Sequence, residues 1–269
     1  MGTSSIFDGP VKSLLPSDYD DFDDNNSLED ADSLEGNDGE KPQGSPYRWK
    51  DAKDAMTRYV KGTSSNRGKV MSRYVGASGG SRQLSRSSTS GKSAAINLGR
   101  VIQGFRENGV ENTLQSLQID FVGRSAKEVL SELVNVISGN ADTKEDIAAR
   151  GASGEAISEL YNIVLENNED IESLRKIDEP TFSKVIEVFM SEYIFRRVMS
   201  DLQSRFEKYE SNPKEAVKKE QELKNYIKVK VELRMREMKP ESKDYRSSSI
   251  NKEMNKLFQT CFKAFEDYV

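Results

Sequence analysis

Apolar residues return at intervals of three and four along most of this chain, a spacing that predicts helices rather than strands. The run YRWKDAKDAMTRYVKG places Trp49, Ala52, Met56, Tyr59 and Val60 on one side of a short helix. SAAINLGRVIQGFREN repeats the pattern through Ala95, Leu98, Ile102 and Phe105. From about residue 110 to residue 269 the spacing is helical almost throughout. RSAKEVLSELVNVISG aligns Val129, Leu130, Leu133, Val134 and Ile137 before Gly139 stops the helix. DTKEDIAARGASGEAISELYNIVLEN opens with Asp142 three residues ahead of Glu145, a capping-box spacing, and continues through Ile147, Ile157, Leu160, Ile163 and Val164. Gly151 and Gly154 predict a bend or a break within it. EPTFSKVIEVFMSEYIFRRVMSDLQSRFEKY is the most apolar run, with Pro180 in a first-turn position. Through Val185, Val188, Phe189, Phe195, Val198, Met199 and Leu202 it predicts the central helix. The next run starts with Asn212 followed by Pro213 and alternates the sign of its charges, which predicts a helix wet over most of its circumference. The last carries Met254, Leu257, Phe258, Cys261, Phe262 and Phe265. No period-two run is long enough for a sheet. The expected fold is all-α, an irregular helical bundle.

The polar remainder sets the organisation. Residues 1–45 hold twelve acidic residues against two lysines and few apolar ones, so ordering them would cost more entropy than their burial returns. A mobile acidic tail is expected there. In 46–106 the sign reverses: thirteen Lys or Arg face only Asp51 and Asp54. This segment is read as basic and partly helical, with GASGGSRQLSRSSTSGKSAA forming a flexible loop. Residues 107–269 form the helical domain.

Composition then excludes chemistry. The chain has no histidine and one cysteine, which removes His-based triads, Cys–His pairs and internal disulfides, and leaves zinc only carboxylates. No transmembrane run and no leader-like h-region occur, so a cytoplasmic protein without a membrane role is expected. GKSAA at Gly91 suggests a phosphate-binding loop, but Arg86 stands where that motif needs a glycine. The carboxylates Asp18, Asp20, Asp21, Asp23 and Asp24 lack calcium-loop spacing, so no metal is expected. Cys261, in a stripe of phenylalanines, reads as a small core residue. Arg48, Lys50, Arg58, Arg82 and Arg86 are candidate nucleic-acid contacts, the basis of an alternative reading as a nucleic-acid-binding adaptor. The neighbouring acidic tail would compete for those cations. At the start, Ile6 departs from the lipidation pattern, which wants Ser or Thr there. Removal of Met1 would expose the α-amine of Gly2, whose kind titrates near about 7.7–8.0 and is partly neutral and nucleophilic at cellular pH.

The opening MGTSSIFDGP with LLPSDYDD, the helix YRWKDAKDAMTRYVKG and the Ser/Gly-rich basic stretch together resemble the B component of the Qat anti-phage defence system. So do Ala94 and Ala95, the pattern from Gly109 through Leu114 to Leu117, and DIAARGASGEAISELY. The resemblance implies a system that pairs an ATPase, this component, a 7-cyano-7-deazaguanine synthase-like enzyme and a TatD-like nuclease. It implies a non-enzymatic protein, binding no cofactor itself, whose N-terminal glycine receives a deazaguanine group from the synthase-like partner. That partner would use ATP to activate 7-carboxy-7-deazaguanine, with the α-amine of Gly2 replacing ammonia to give an amide. Thr3, Ser4 and Ser5 would thread the partner's channel, and Gly9 with Pro10 would turn the chain out of it. Lys12 could not substitute, because its amine is almost wholly protonated at neutral pH.

Overall fold

The computed structural model describes residues 46–209 and 213–266, and among these every regular element is a helix. The chain runs through α1 (Pro46–Val60), α2 (Arg67–Ala77), α3 (Gly80–Ser87), α4 (Thr89–Asn108), α5 (Val110–Ser116) and α6 (Ala126–Ser138). It continues through α7 (Lys144–Glu166), α8 (Glu179–Tyr209), α9 (Pro213–Met238) and α10 (Ile250–Lys263). Short 3₁₀ turns at Ile171–Lys176 and Pro240–Ser242 flank α8 and α9.

The run expected at the centre does become it. At 31 residues α8 is about 46 Å long. Ile186, Phe189, Met190, Tyr193, Ile194 and Val198 are all fully buried, so the helix is covered on nearly every side. α1, α4, α7 and α9 supply that cover. Each such apolar side chain contributes about 1.5–3 kcal/mol on leaving water, which outweighs the modest helix propensity of its Phe, Val and Ile residues. α9 shows the opposite balance and, as its charge pattern predicts, buries only Leu223, Ile227, Val231 and Met235 at intervals of four. One hydrophobic core runs through the described residues, with Trp49, Met56 and Tyr59 of α1 in the same cluster as Phe258 and Phe262 of α10.

Four expectations change. The Ser/Gly-rich stretch does not form a flexible loop: it closes α2, forms α3, and opens α4. Gly79 and Gly80, both at positive φ, turn the chain between α2 and α3 without the strain a side chain would bring. α7 is continuous across Gly151 and Gly154. Gly151 is there for contact rather than bending, since a Cβ would lie 2.6 Å from Nη1 of Arg196 on α8. Ile147 is 59% exposed instead of lying in the core. The capping box of α7 is displaced by one residue: the Thr143 side chain accepts from Asp146 N, and the Asp146 carboxylate accepts from Thr143 N. That shift leaves Glu145 free to turn inward.

Candidate functional site

Glu145 turns to the start of α4. Its carboxylate accepts from Ser90 N at 2.9 Å, Gly91 N at 2.7 Å and the Tyr193 hydroxyl at 2.7 Å, with the residue only 6% exposed. The GKSAA segment therefore is a helix N-terminus suited to an anion, and the anion it holds is the chain's own carboxylate. Gly91 is required there because a Cβ would meet the Tyr193 ring at 2.5 Å. The mismatch at Arg86 and the geometry agree that this is no nucleotide loop.

The contact continues along α8. Arg197 donates to the Tyr193 hydroxyl at 3.3 Å, and Tyr74 of α2 donates to Asp201 at 3.1 Å. Tyr193, Arg197 and Asp201 follow each other at intervals of four, so they share one face of α8. The string ties α2, α4, α7 and α8 together inside the core. Burial holds the Asp201 carboxyl above the usual carboxylate range, against the opposing pull of the Arg197 guanidinium. Burial likewise raises the Tyr193 phenol well above its ordinary value. Two surface grooves, one on α6 beside Arg124 and Glu132 and one between α7 and α8 beside Ile147 and Met199, are lined by none of these five side chains. The string is a structural clamp.

Cys261 is fully buried and burial pushes its thiol up to about 12, which fits its reading as a core residue. Among the described residues no group of His, Cys, Asp and Glu could hold a metal ion, and no helix is long and apolar enough to cross a membrane.

The five candidate nucleic-acid contacts are not gathered on one face, although Arg82 and Arg86 share α3. Arg48 donates to the Gly76 carbonyl at 3.2 Å, joining the start of α1 to the end of α2. Lys50 is exposed and Arg58 half-buried on α1, while Arg82 and Arg86 stand exposed on α3. Ser85 of α3 donates to the Asn255 carbonyl of α10 at 2.9 Å and to its side-chain oxygen at 3.0 Å, and Lys92 of α4 donates to that side-chain oxygen at 3.1 Å. Arg86 thus neighbours α10 rather than Lys50 or Arg58. Gly2, Thr3, Ser4, Ser5, Gly9 and Pro10, with the whole acidic segment to residue 45, lie outside the described residues.

The family described as Qat anti-phage system associated protein QatB matches residues 79–265. The chain belongs to the QatB family. It is therefore a component of an anti-phage defence system, as its resemblance implied. The match runs from the α2–α3 turn to the end of α10, so the QatB region contains the Glu145 clamp except for Tyr74. No curated protein and no solved structure matches the chain.

Proposed function

We propose that the chain is a non-enzymatic member of its defence system. In this reading the helical body docks a 7-cyano-7-deazaguanine synthase-like partner, and the α-amine of Gly2 accepts a deazaguanine group. Membership of the QatB family is the observation that carries the reading. The chemistry of the chain supports it from two sides. The chain has no histidine, and the buried Glu145, Tyr193, Arg197 and Asp201 groups are engaged with one another in the clamp and line neither surface groove. The α-amine of a glycine, by contrast, is unhindered and partly deprotonated at neutral pH, where the lysine amine is not. The neutral amine attacks the carboxyl carbon that the partner has activated with ATP; a C–N amide bond forms, the bond from that carbon to the activating phosphate oxygen breaks so that the ATP-derived group leaves, and the amine's proton is released to solvent.

Co-expression with an active partner followed by intact-mass measurement tests this. The expected mass reflects loss of Met1 and a single deazaguanine amide, located on Gly2 by fragmentation. An unmodified glycine beside an active partner overturns the proposal. A Lys12→Arg variant should be modified as fully as the parent, because the side-chain amine plays no part.

A further inference from the structure

α10 carries a row of lysines that no described residue pairs with. At 100° per residue, Lys252, Lys256 and Lys263 fall within about 40° of one another, opposite the buried stripe of Met254, Leu257 and Cys261. All three are exposed, and none makes an ion pair among the described residues. Arg82 and Arg86 of α3, spaced by four and likewise exposed and unpaired, flank the same seam. The seam is fixed by Ser85 bonding to the Asn255 carbonyl oxygen and side chain at 2.9 and 3.0 Å. Among the described residues, two carboxylates nearby are committed: Glu266 accepts from Ser81 N, and Glu253 holds Lys243 at 3.3 Å and the Ser249 hydroxyl at 2.8 Å. Several surface cations elsewhere are ion-paired, as in Lys224 with Glu192, Arg246 with Glu107 and Arg196 with Glu155. Five unpaired cations on one seam mark a surface for a polyanion.

We propose that the polyanion is residues 18–40 of the same chain, which dock across the α3–α10 face. That segment holds eleven acidic residues and no basic one. The chain leaves it at Glu40 and enters α1 at Pro46, six residues on, a span of at most about 20 Å. The entry lies beside the face: Arg48 contacts the Gly76 carbonyl, which also accepts from Gly79 N at 3.2 Å, and α3 begins at the next residue. A segment tethered this closely meets the seam at an effective concentration in the millimolar range, which favours it over free nucleic acid and over a second copy. Docking would leave residues 1–17 as an arm of at most about 60 Å, and so set how far Gly2 reaches. It does not depend on whether Gly2 is modified.

Zero-length carbodiimide coupling of the full chain, which joins carboxylates to lysine amines, tests the placement. The expected links join 18–40 to Lys252, Lys256 and Lys263 within the monomer band, and disappear in about 1 M salt, where screening shortens to about 3 Å. Arg82→Gln with Arg86→Gln removes no coupling site, yet should lower those links about fivefold. Links spread evenly over exposed lysines such as Lys218 and Lys228, links found only in a dimer band, or links unchanged in the double variant overturn the proposal. So does a single-stranded oligonucleotide that binds the parent as tightly as a variant with Asp18, Asp20, Asp21, Asp23 and Asp24 changed to Asn.

Discussion

Glu145→Ala is the most informative single perturbation of the body. It leaves Ser90 N, Gly91 N and the Tyr193 hydroxyl without their acceptor in a site where Glu145 is 6% exposed. Each buried donor left unpaired costs about 1–3 kcal/mol, and bonds to a charged acceptor sit at the upper end. Water entering the vacated space restores part, so the expected loss is about 3–5 kcal/mol. Glu145→Gln keeps an amide oxygen that accepts two bonds, and should cost about half as much. Tyr193→Phe removes the hydroxyl that joins Glu145 to Arg197, so the Glu145→Gln and Tyr193→Phe losses should be non-additive by about 1 kcal/mol. Urea unfolding read by far-UV circular dichroism and by Trp49 fluorescence measures all three. Trp49 is a suitable reporter because its ring meets Tyr74, the far end of the clamp, edge-on at 6.1 Å. A Glu145→Ala loss below about 1 kcal/mol refutes the clamp, since it could not then be satisfying three buried donors. A Glu145→Gln loss equal to that of Glu145→Ala refutes the hydrogen-bonding account specifically.

Two further outcomes follow from the same geometry. Gly99→Ala places a methyl group 2.1 Å from Cδ1 of the buried Tyr245 ring and should destabilise by about 2–3 kcal/mol, whereas Gly154→Ala meets nothing within 4 Å and should stabilise by about 0.5–1 kcal/mol. Paired thermal melts check this, and equal effects of the two would contradict it. The Asp146 carboxyl is held below the usual aspartate range, first by the Ser90 hydroxyl and then by Thr143, so its contribution is present above the unfolded value and lost as pH falls through the depressed one. The stability gap between parent and Asp146→Asn should thus be open at pH 6 and narrow as pH falls below the ordinary aspartate value of about 3.9, as urea midpoints at each pH would record; a constant gap would remove Asp146 from the account.

The helices were legible wherever burial falls on one stripe. Trp49, Ala52, Met56, Tyr59 and Val60 all lie inside, as spacing alone required, and Pro180 and Pro213 both stand at helix starts. The Ser/Gly-rich stretch was misjudged for a physical reason. Its composition disfavours an isolated helix, but Leu84 is 1% exposed against α10, and Ser85 and Ser88 bond to Asn255 and to the Leu84 carbonyl. Tertiary contact overrode propensity. Gly91 fell within the stretch read as flexible and Gly99 within a run read simply as helix, when each removes a Cβ so that a tyrosine ring can approach a helix backbone. Only the partner, Tyr193 or Tyr245, reveals that, and neither is near in sequence. The clamp did leave one trace: Tyr193, Arg197 and Asp201 at intervals of four are three polar groups on one face of the central, deeply buried helix. Such groups must find partners inside, and that requirement could have pointed to Glu145.

Charge was the less legible property, because a basic block in sequence is not a basic face in space. Of the cations in 46–106, Arg48 is drawn to the Gly76 carbonyl, Arg67 to Glu222 and Arg100 to the Tyr245 carbonyl, while Lys92 reaches Asn255. The fold uses these to join its helices. What stays outward on α3 is Arg82 and Arg86, and the lysines nearest that seam come from α10, some 170 residues later. Any anion that reads this surface therefore reads the tertiary structure. A variant that unfolds α10 while keeping every residue of 46–106 should abolish such binding, which a linear basic segment would retain.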